Sequence, residues 1–345
     1  MDISALPEAT IACLAAASEI YVGAKVLEIS PISGGYSRLT FKYSIRTKNG
    51  DEDIVLQYVP LGATGIVRID RMVENDILVH LSENEGVNSP KLIASDVEGN
   101  FFDNAAFIYK AEPGRPFVDV CRDTQDNKLG SLNRIVARSA ASVHGQDIKK
   151  LPKSMHTPTN WEDYLTSQIE LFKKTESESS KSRPFLRYMA KWLDENRPPA
   201  APLSLVHGDF QVSNMLSLNS EKDALLVDWE LAHIGDPRED LGWLTMVCNT
   251  IPPDILAADP KGFYDEYRAF SGLSKEIINP ETSAYFLIIS SIRTHRGMMK
   301  SSDALAKDSK QAQSVLAAYY LSITSYQHTM WMNAVKIVEE MKRSR

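Results

Sequence analysis

The 345-residue sequence contains only three cysteines and has no long apolar run. Cys13, Cys121 and Cys248 are odd in number and far apart, which argues against a disulfide framework or a C-x-x-C site and favours a reducing compartment. The amino terminus lacks a basic region, and the apolar stretch 11–17 is too short for a signal peptide or a membrane span. We therefore expect a cytoplasmic protein without a membrane segment.

Several common catalytic and nucleotide-binding patterns are also missing. The sequence contains no G-x-x-x-x-G-K-[ST], no G-x-G-x-x-G, no H-E-x-x-H and no G-x-S-x-G. Its formal net charge of -7 argues against a dedicated nucleic-acid binder, which would normally show a basic excess. The length suggests two domains or two lobes.

The first third of the chain carries strand patterns. Positions 39–46 alternate apolar and polar side chains, and Asn49-Gly50 is a strong hairpin signal. Further short apolar runs occupy 26–29, 54–56, 92–94 and 105–109. Helical spacing covers 66–83, and a short amphipathic helix begins near Leu6. These patterns predict a five-stranded, mainly antiparallel sheet that ends at about Lys110.

After residue 114 strand signals become rare and helical patterns dominate. They cover 132–144, 161–172, 185–192, a segment that starts at Asn279-Pro280, and roughly 311–341. We predict an α+β protein with an amino-terminal nucleotide-binding lobe, 1–110, and a larger helical lobe, 111–345.

Two polar motifs each follow a short apolar run. The first is H-G-D-x-x-x-x-N, from His207 to Asn214 with Asp209 as its carboxylate, and the second is D-W-E, which starts at Asp228. Each run predicts a short buried strand that delivers the polar residue at its end. The spacing suits a loop in which one carboxylate accepts a hydroxyl proton while an amide and a second carboxylate hold Mg²⁺ on a nucleotide's phosphates. The alternative is a polar loop that carries these residues by chance.

The two motifs together resemble those of the aminoglycoside phosphotransferase and choline kinase family, small-molecule relatives of protein kinases. The run 228–243, D-W-E-L-A-H-I-G-D-P-R-E-D-L-G-W, looks most like the kinase-like domain joined to acyl-CoA dehydrogenases. The resemblance implies a two-lobed protein-kinase-like fold and an ATP- and Mg²⁺-dependent kinase for a small-molecule hydroxyl, with GTP as the alternative nucleotide. A protein kinase is disfavoured because D-W-E replaces D-F-G and no A-P-E follows.

The resemblance also implies a role for each motif residue. Asp209 would orient the acceptor hydroxyl and take its proton, and His207 would order the same catalytic loop by hydrogen bonding. Asn214 and Asp228 would hold Mg²⁺, a hard cation that prefers oxygen ligands. Asp240 would accept hydrogen bonds from the loop backbone.

A two-glycine turn precedes the second strand. By the resemblance, Gly34, Gly35, Ser37 and Arg38 would lie over the nucleotide's phosphates, where glycines let backbone N–H groups approach the oxygens. Taken alone, the pattern is more typical of a plain hairpin turn. Its position upstream of the catalytic loop favours the phosphate-binding role.

One position departs from the family pattern. Relatives have a Lys or Arg on the third strand to pair with the phosphates, whereas this chain has the uncharged Gln57. Glu74 is the candidate brace for that cation, or else a solvated glutamate, and it would face an uncharged partner. We expect Arg38 or Lys42 to supply the missing charge. If neither does, the chain is a nucleotide-binding pseudokinase with little turnover.

The segment between the lobes begins with Lys110 and Ala111, whose exposed backbone groups are suited to pairing with adenine. Late helices form the acceptor pocket in relatives, and residues 291–345 carry nine Lys or Arg against four Asp or Glu. This balance favours a neutral or anionic hydroxylated acceptor, such as a hydroxyacyl-CoA, over a polycationic aminoglycoside. The motif similarity also implies a functional link to an acyl-CoA dehydrogenase.

Overall fold

A computed structural model describes most of the chain. The backbone is described for residues 2–32, 38–60, 67, 69–178, 182–218, 224–250, 253–307 and 314–344, and the side chains for the same ranges without 126 and 300–325.

The first third of the chain forms a five-stranded antiparallel sheet with the strand order β1-β2-β3-β5-β4. The strands are β1 (Lys25–Ile32), β2 (Leu39–Thr47), β3 (Gly50–Tyr58), β4 (Leu92–Asp96) and β5 (Ala106–Lys110). Strands β2 and β3 form the hairpin predicted at Asn49-Gly50, with Thr47 opposite Gly50. The five-stranded sheet predicted from the alternating pattern is therefore confirmed.

Helix α1 (Leu6–Ala17) covers one face of this sheet. Its Leu14 is fully buried in the same apolar cluster as Tyr43, Ile54 and Ile108 from three neighbouring strands. Alternate strand residues share a face, so one set of side chains can meet the helix. Burial of each large apolar side chain contributes roughly 1.5–3 kcal/mol, which fixes the helix on the sheet.

Helix α2 (Arg71–Glu83) connects β3 to β4 and begins later than the spacing over 66–83 predicts. Asp70 caps it, because its carboxylate accepts hydrogen bonds from the backbone N–H groups of Met72 and Val73. Residue 66 lies outside the described residues. The cap sets the start of the helix and turns Glu74 into the protein, where it is 2% exposed.

The rest of the chain is mainly helical. The helices are α3 (Phe117–Asp123), α4 (Leu129–His144), α5 (Trp161–Ser177), α6 (Pro184–Glu195), α7 (Arg238–Cys248), α8 (Ile255–Ala258), α9 (Pro260–Ser271), α10 (Pro280–Lys307) and α11 (Ser314–Arg343). The helices predicted from spacing are confirmed, with ends shifted by a few residues. No helix among the described residues combines the length and apolarity needed to cross a membrane.

Five short strands lie between these helices and position the two polar motifs. They are β6 (Arg115–Pro116), β7 (Ser204–Val206), β8 (Met215–Ser217), β9 (Ala224–Leu226) and β10 (His233–Gly235). Strand β7 pairs with β10, and β8 pairs with both β6 and β9. β7 ends immediately before the H-G-D motif and β9 ends two residues before Asp228, so both predicted buried strands are present. The boundary at Lys110 between the lobes stays a prediction.

One apolar cluster extends from the five-stranded sheet to the loops that carry the two polar motifs. It joins Ile77 and Phe107 of the first lobe to Val136 of α4 and to Phe210 and Leu226 beside the two motifs. A second cluster lies among α5, α6, α10 and α11. The loops that carry the two polar motifs therefore pack against a buried apolar core.

A buried histidine of α10, His295, lies beside the second cluster, with its ring centroid 5.0 Å from that of Trp331 on α11. Its Nδ1 lies 3.0 Å from Gln327 Oε1, whereas its Nε2 has no hydrogen-bond partner among the described residues. The ring centroid of His328 is 5.1 Å away, and Arg183 is a further positive neighbour. Burial, followed by these neighbours, lowers the pKa of His295 from 6.5 to about 4.

We predict that His295 makes the fold acid-sensitive. Between pH 6.5 and 4 the unfolded chain binds a proton that the folded chain excludes, so stability is lost as the pH falls. His295→Gln should remove roughly 1–2 kcal/mol of the stability difference between pH 7 and pH 5, measured by urea unfolding at each pH. As a control, His156→Gln replaces an exposed imidazole and tests whether the loss of any histidine gives the same change. An unaltered pH dependence in His295→Gln would show that the titrating group lies elsewhere.

Candidate active site

The loop that carries the H-G-D motif is fixed by Asp240 of α7. The carboxylate of Asp240 accepts hydrogen bonds from the backbone N–H groups of His207 and Gly208 at 2.8 and 2.9 Å. His144 Nε2 lies 3.0 Å from the same carboxylate, which is fully buried. Burial alone would raise the pKa of Asp240, but His144 and the loop amides outweigh it and lower the pKa. A buried charged acceptor thus holds the loop backbone, as the resemblance implied.

Gly208 allows the loop to approach the segment that follows Asp228. Its φ is +83°, a conformation that L side chains rarely adopt, and a Cβ there would overlap the carbonyl of Leu231. A side chain at this position would push the two catalytic segments apart.

His207 links the two segments from within the core. Its Nε2 lies 3.0 Å from the carbonyl oxygen of Val227, which can only accept, so Nε2 carries the hydrogen and Nδ1 is left to accept from Asp209 N. Burial lowers the pKa of His207 despite the nearby carboxylates of Asp240 and Asp209. A neutral, fully buried ring fits a loop-ordering role better than a proton-transfer role.

The carboxylate of Asp209 is held by three side-chain donors. Oδ1 accepts from Trp243 Nε1 at 2.6 Å and from Gln211 Nε2 at 2.7 Å, and Oδ2 accepts from Asn214 Nδ2 at 2.8 Å. Burial raises the pKa of Asp209, and His207 and the three donors oppose that rise. The result is a carboxylate in a fixed orientation with raised basicity, which suits a general base.

Asp228 lies one residue beyond the position opposite Asn214, where strand β8 begins and its partner β9 ends. Val227 N donates to the backbone oxygen of Asn214 at 3.0 Å, which ties the two positions together. The φ of Asp228 is +68°, a strained value for a residue with a side chain, with a typical cost of about 1–3 kcal/mol. Burial, with Glu230 and other acids nearby, raises the pKa of Asp228 to about 7.

These residues fit a divalent cation. Asp228 Oδ1 is buried without a hydrogen-bond donor in the part of the chain that the structure describes. The amide nitrogen of Asn214 is engaged by Asp209, which leaves its oxygen as the available ligand atom. The described residues hold no cluster of three or more His, Cys, Asp or Glu that could bind a metal. Two oxygen ligands suit Mg²⁺, which is usually held by one or two protein groups together with substrate phosphates and water.

Arg38 lies next to this site, directly before β2, with a side chain that is 4% exposed. Its Nη2 is 2.5 Å from Glu74 Oε1 and 2.6 Å from Glu230 Oε2, and 3.6 Å from Asp228 Oδ1. Its Nη1 donates to Gln57 Oε1 at 3.1 Å. Burial alone would lower the pKa of Arg38, but the surrounding carboxylates outweigh it and raise the pKa. The guanidinium is therefore permanently charged beside the candidate metal ligands.

The expectation that Glu74 faces an uncharged partner is wrong, because the guanidinium of Arg38 forms an ion pair with its carboxylate. Arg71 adds a second cation, since its Nη1 lies 2.7 Å from Glu74 Oε2 and 3.0 Å from Glu230 Oε2. Two arginines thus face three carboxylates, an excess of negative charge that favours a bound cation.

Lys42, the other candidate for the missing charge, pairs with Asp53 at 2.7 Å on the exposed sheet surface. It therefore does not supply the charge beside Gln57. Of the two residues proposed from the sequence, the structure places Arg38 at the site.

Of the remaining nucleotide-binding candidates, Lys110 and Ala111 lie among the described residues. Gly34, Gly35 and Ser37 lie outside the described residues. The backbone N–H groups of Lys110 and Ala111 donate to Lys91 O and Asp53 O at 2.9 and 3.0 Å, so both are engaged within the sheet. Pairing of adenine with this segment would have to use carbonyl oxygens or displace these bonds, and the assignment stays a prediction.

Several residues of the site were not identified from the sequence. Arg71 could have been found, since it lies three positions before Glu74 on the same helix, a spacing that brings side chains together. Glu230 belongs to the D-W-E motif but was given no role. Gln211 and Trp243 carry no local signal, because their roles depend on contact with Asp209.

A cavity of about 610 Å³ adjoins the segment that follows Asp228. It is lined by that segment, by α2, by residues 154–159, by α5 and by Arg293 of α10. A smaller cavity beside it is lined by Gly208, Leu231, His233 and Arg293, which brings it to the catalytic loop. The large cavity is the candidate acceptor site.

A family model, related proteins and solved structures match this chain. The family model described as the phosphotransferase enzyme family matches residues 28–273. The chain belongs to this family. The phosphotransferase chain is also 26% identical over 231 residues to acyl-CoA dehydrogenase family member 11 of Gallus gallus, which covers 64% of this chain and 28% of that relative. It therefore spans less than a third of the length of that relative.

Solved structures confirm the two-lobed protein-kinase-like fold. A putative aminoglycoside phosphotransferase from Ralstonia eutropha JMP134 superposes with a TM-score of 0.69 at 20% identity, covering 95% of this chain and 98% of that one. The GDP complex of aminoglycoside 2'-phosphotransferase-IIIa superposes with a TM-score of 0.57 at 15% identity, covering 88% and 93%. Identities this low establish the fold alone.

We predict that Asp209→Asn lowers turnover by roughly 10²–10⁴ while the fold and nucleotide affinity are kept, because the general base is lost and the volume is not. Turnover of Mg-nucleotide with acceptor and the melting temperature are the measurements. Asp51→Asn, an exposed carboxylate paired with Arg46, is the control and should match the wild type. Wild-type turnover in Asp209→Asn would rule out this residue as the base.

Proposed function

We propose that this chain is an ATP- and Mg²⁺-dependent phosphotransferase that acts on a hydroxyl group of a small molecule. The observation that carries the proposal is the carboxylate of Asp209, fixed by Trp243, Gln211 and Asn214, together with the buried Oδ1 of Asp228, which accepts no hydrogen bond among the described residues. A base and a cation site side by side are what phosphoryl transfer to an alcohol requires.

In the proposed reaction Asp209 accepts the proton of the acceptor hydroxyl as that oxygen forms its bond to the γ-phosphorus. The bond from the γ-phosphorus to the bridging oxygen breaks, and the nucleoside diphosphate leaves with those electrons. Asn214 and Asp228 would hold Mg²⁺, which would neutralise charge on the phosphates. Arg38 contributes a positive charge beside them, and the protein acts by positioning and electrostatics rather than by covalent chemistry.

The position of Arg38 favours an active enzyme over the pseudokinase alternative. The third-strand position holds Gln57, but the charge missing there is present 3.1 Å away on the guanidinium that Gln57 binds. Glu74 braces this cation as it would brace a third-strand lysine or arginine. The charge pattern is thus retained with a different residue.

ATP is the proposed nucleotide and GTP the alternative, since the relative in complex with GDP shares the fold. A cytoplasmic location is part of the proposal, supported by three cysteines that are all buried and unpaired. The similarity to an acyl-CoA dehydrogenase relative supports a functional link to such an enzyme and a hydroxyacyl-CoA or related metabolite as acceptor.

We predict that Arg38→Ala weakens Mg-ATP affinity or turnover at least about tenfold, since a charge-assisted contact of roughly 1.5–3 kcal/mol is lost. Gln57→Lys alone should give no gain, because its ammonium would meet the guanidinium of Arg38. In the Arg38→Ala background, Gln57→Lys should recover part of the loss by pairing with Glu74. Calorimetry with Mg-ATP and transfer rates of the four proteins provide the measurement.

The control for this set is Arg46→Ala, which removes an exposed arginine from β2, the strand that Arg38 directly precedes. It should leave affinity and turnover unchanged. If Arg38→Ala is silent and Gln57→Lys creates activity in a protein that had none, the pseudokinase alternative replaces the proposal.

An acceptor panel tests the proposed reaction itself. We expect Mg²⁺-dependent release of nucleoside diphosphate with hydroxyacyl thioesters or hydroxy acids and little with kanamycin, and no release by Asp209→Asn. Phosphorylated product identified by mass spectrometry confirms transfer to the hydroxyl. Efficient phosphorylation of kanamycin with none of any hydroxyacyl compound would reverse the proposed acceptor class.

A further inference from the structure

The candidate acceptor cavity has an uneven balance of charge. Four carboxylates line it, but each already has a partner. Glu74 and Glu230 pair with Arg38 and Arg71, as described above. Asp70 caps α2, and Asp163 Oδ2 accepts from Asn160 Nδ2 at 2.9 Å. These acids therefore offer little to a cationic ligand.

Arg293, the arginine of the lining, has much weaker partners. Its Nη1 lies 3.3 Å from His233 Nδ1, and its Nη2 lies 3.5 Å from Gln168 Oε1. His233 Nδ1 is also 2.9 Å from the carbonyl oxygen of Leu231, which can only accept. Nδ1 therefore carries a hydrogen and cannot accept one from Arg293. The guanidinium therefore lines both cavities without a strong acceptor among the described residues.

The small cavity also has a carboxylate, Glu239, in its lining. Glu239 is buried, accepts a hydrogen bond from the hydroxyl of Tyr164 and lies 3.4 Å from His233 Nε2. No ion pair joins it to Arg293 among the described residues. The carboxylate of Glu239 thus stabilises the positive charge of Arg293 through space, while the donors of Arg293 stay available to a ligand.

We propose that Arg293 binds an oxyanion, a carboxylate or a phosphate, that the acceptor carries in addition to its hydroxyl. This inference rests on the proposed function, because it assigns the cavity to the acceptor. A guanidinium presents paired N–H donors that match an oxyanion, and such charge-assisted bonds are the stronger kind. Arg293 lines the large cavity and also the small cavity beside Gly208, so an anion bound to its guanidinium in the large cavity would leave the remainder of the acceptor close to the loop with the H-G-D motif.

The first test needs no turnover. Phenylglyoxal modifies exposed guanidinium groups, and peptide mass spectrometry resolves Arg293 from Arg296, which lies one turn later and pairs with Glu178 at 2.5 Å. With Mg-ADP present to fill the nucleotide site, the probes are inorganic phosphate, 4-hydroxybutyrate and the neutral butane-1,4-diol. We expect an oxyanion to slow modification of Arg293 at least about threefold, without protection by the diol and without change at Arg296.

The outcomes separate the two sources of the oxyanion. Protection by 4-hydroxybutyrate alone identifies a carboxylate, protection by phosphate alone identifies a phosphate, and protection by both supports the shared chemistry. Equal labelling with and without both oxyanions, or equal protection by the diol, overturns the proposal.

The second test measures specificity. Arg293→Met should raise KM for an anionic acceptor by about tenfold or more with a small change in kcat, and should leave KM for a neutral alcohol and Mg-ATP affinity unchanged. Arg293→Lys should recover part of the loss, and Arg296→Met should behave as the wild type. An equal loss for anionic and neutral acceptors would show a structural role and contradict the proposal.

The two tests also keep this inference apart from the proposed function. If no acceptor is phosphorylated while Arg293 is still protected by an oxyanion, the proposed function fails and the anion site stands. If transfer occurs and Arg293 is neither protected nor selective, the function stands and the anion site fails.

Discussion

The N–H donors of a buried guanidinium need acidic or polar partners. For Arg38 these partners come from three different parts of the chain. Arg38 directly precedes β2, and its side chain contacts Glu74 of α2, Gln57 of β3 and Glu230, which lies two residues after Asp228. Removal of one partner from a buried ion pair typically costs about 3–5 kcal/mol, because the other charge is left uncompensated. Arg38 therefore joins the sheet lobe, helix α2 and the segment after Asp228, and Arg71 provides a second link between α2 and that segment.

Much of the architecture follows from local pattern. Alternation of apolar and polar residues predicted the sheet and the hairpin at Asn49-Gly50, because successive strand residues face opposite sides. The apolar runs before His207 and Asp228 predicted strands that lead into the two polar motifs, and β7 and β9 end one and two residues before them. The spacing between motif residues is fixed by the sequence, so the motifs could be recognised without knowledge of the fold.

The remainder depends on contacts between distant parts of the chain. Trp243 reaches Asp209 across 34 positions and Arg38 reaches Glu230 across 192, and no local pattern encodes either contact. Strands of two or three residues, such as β6, are too short to show a period. The start of α2 was misplaced because Asp70, rather than the apolar spacing, decides where that helix begins.

The pairing of Gln57 with Arg38 changes how inactive kinase-like chains should be recognised. Thr40, two residues after Arg38, lies opposite Gln57 in the ladder between β2 and β3, so the two strands present neighbouring side chains to the same space. The cation in that space comes here from Arg38, which directly precedes β2, and not from β3. A search that inspects only the third-strand column of an alignment would overlook this cation. The informative unit is the pair of columns, scored by the charge that both deliver to the glutamate of the following helix.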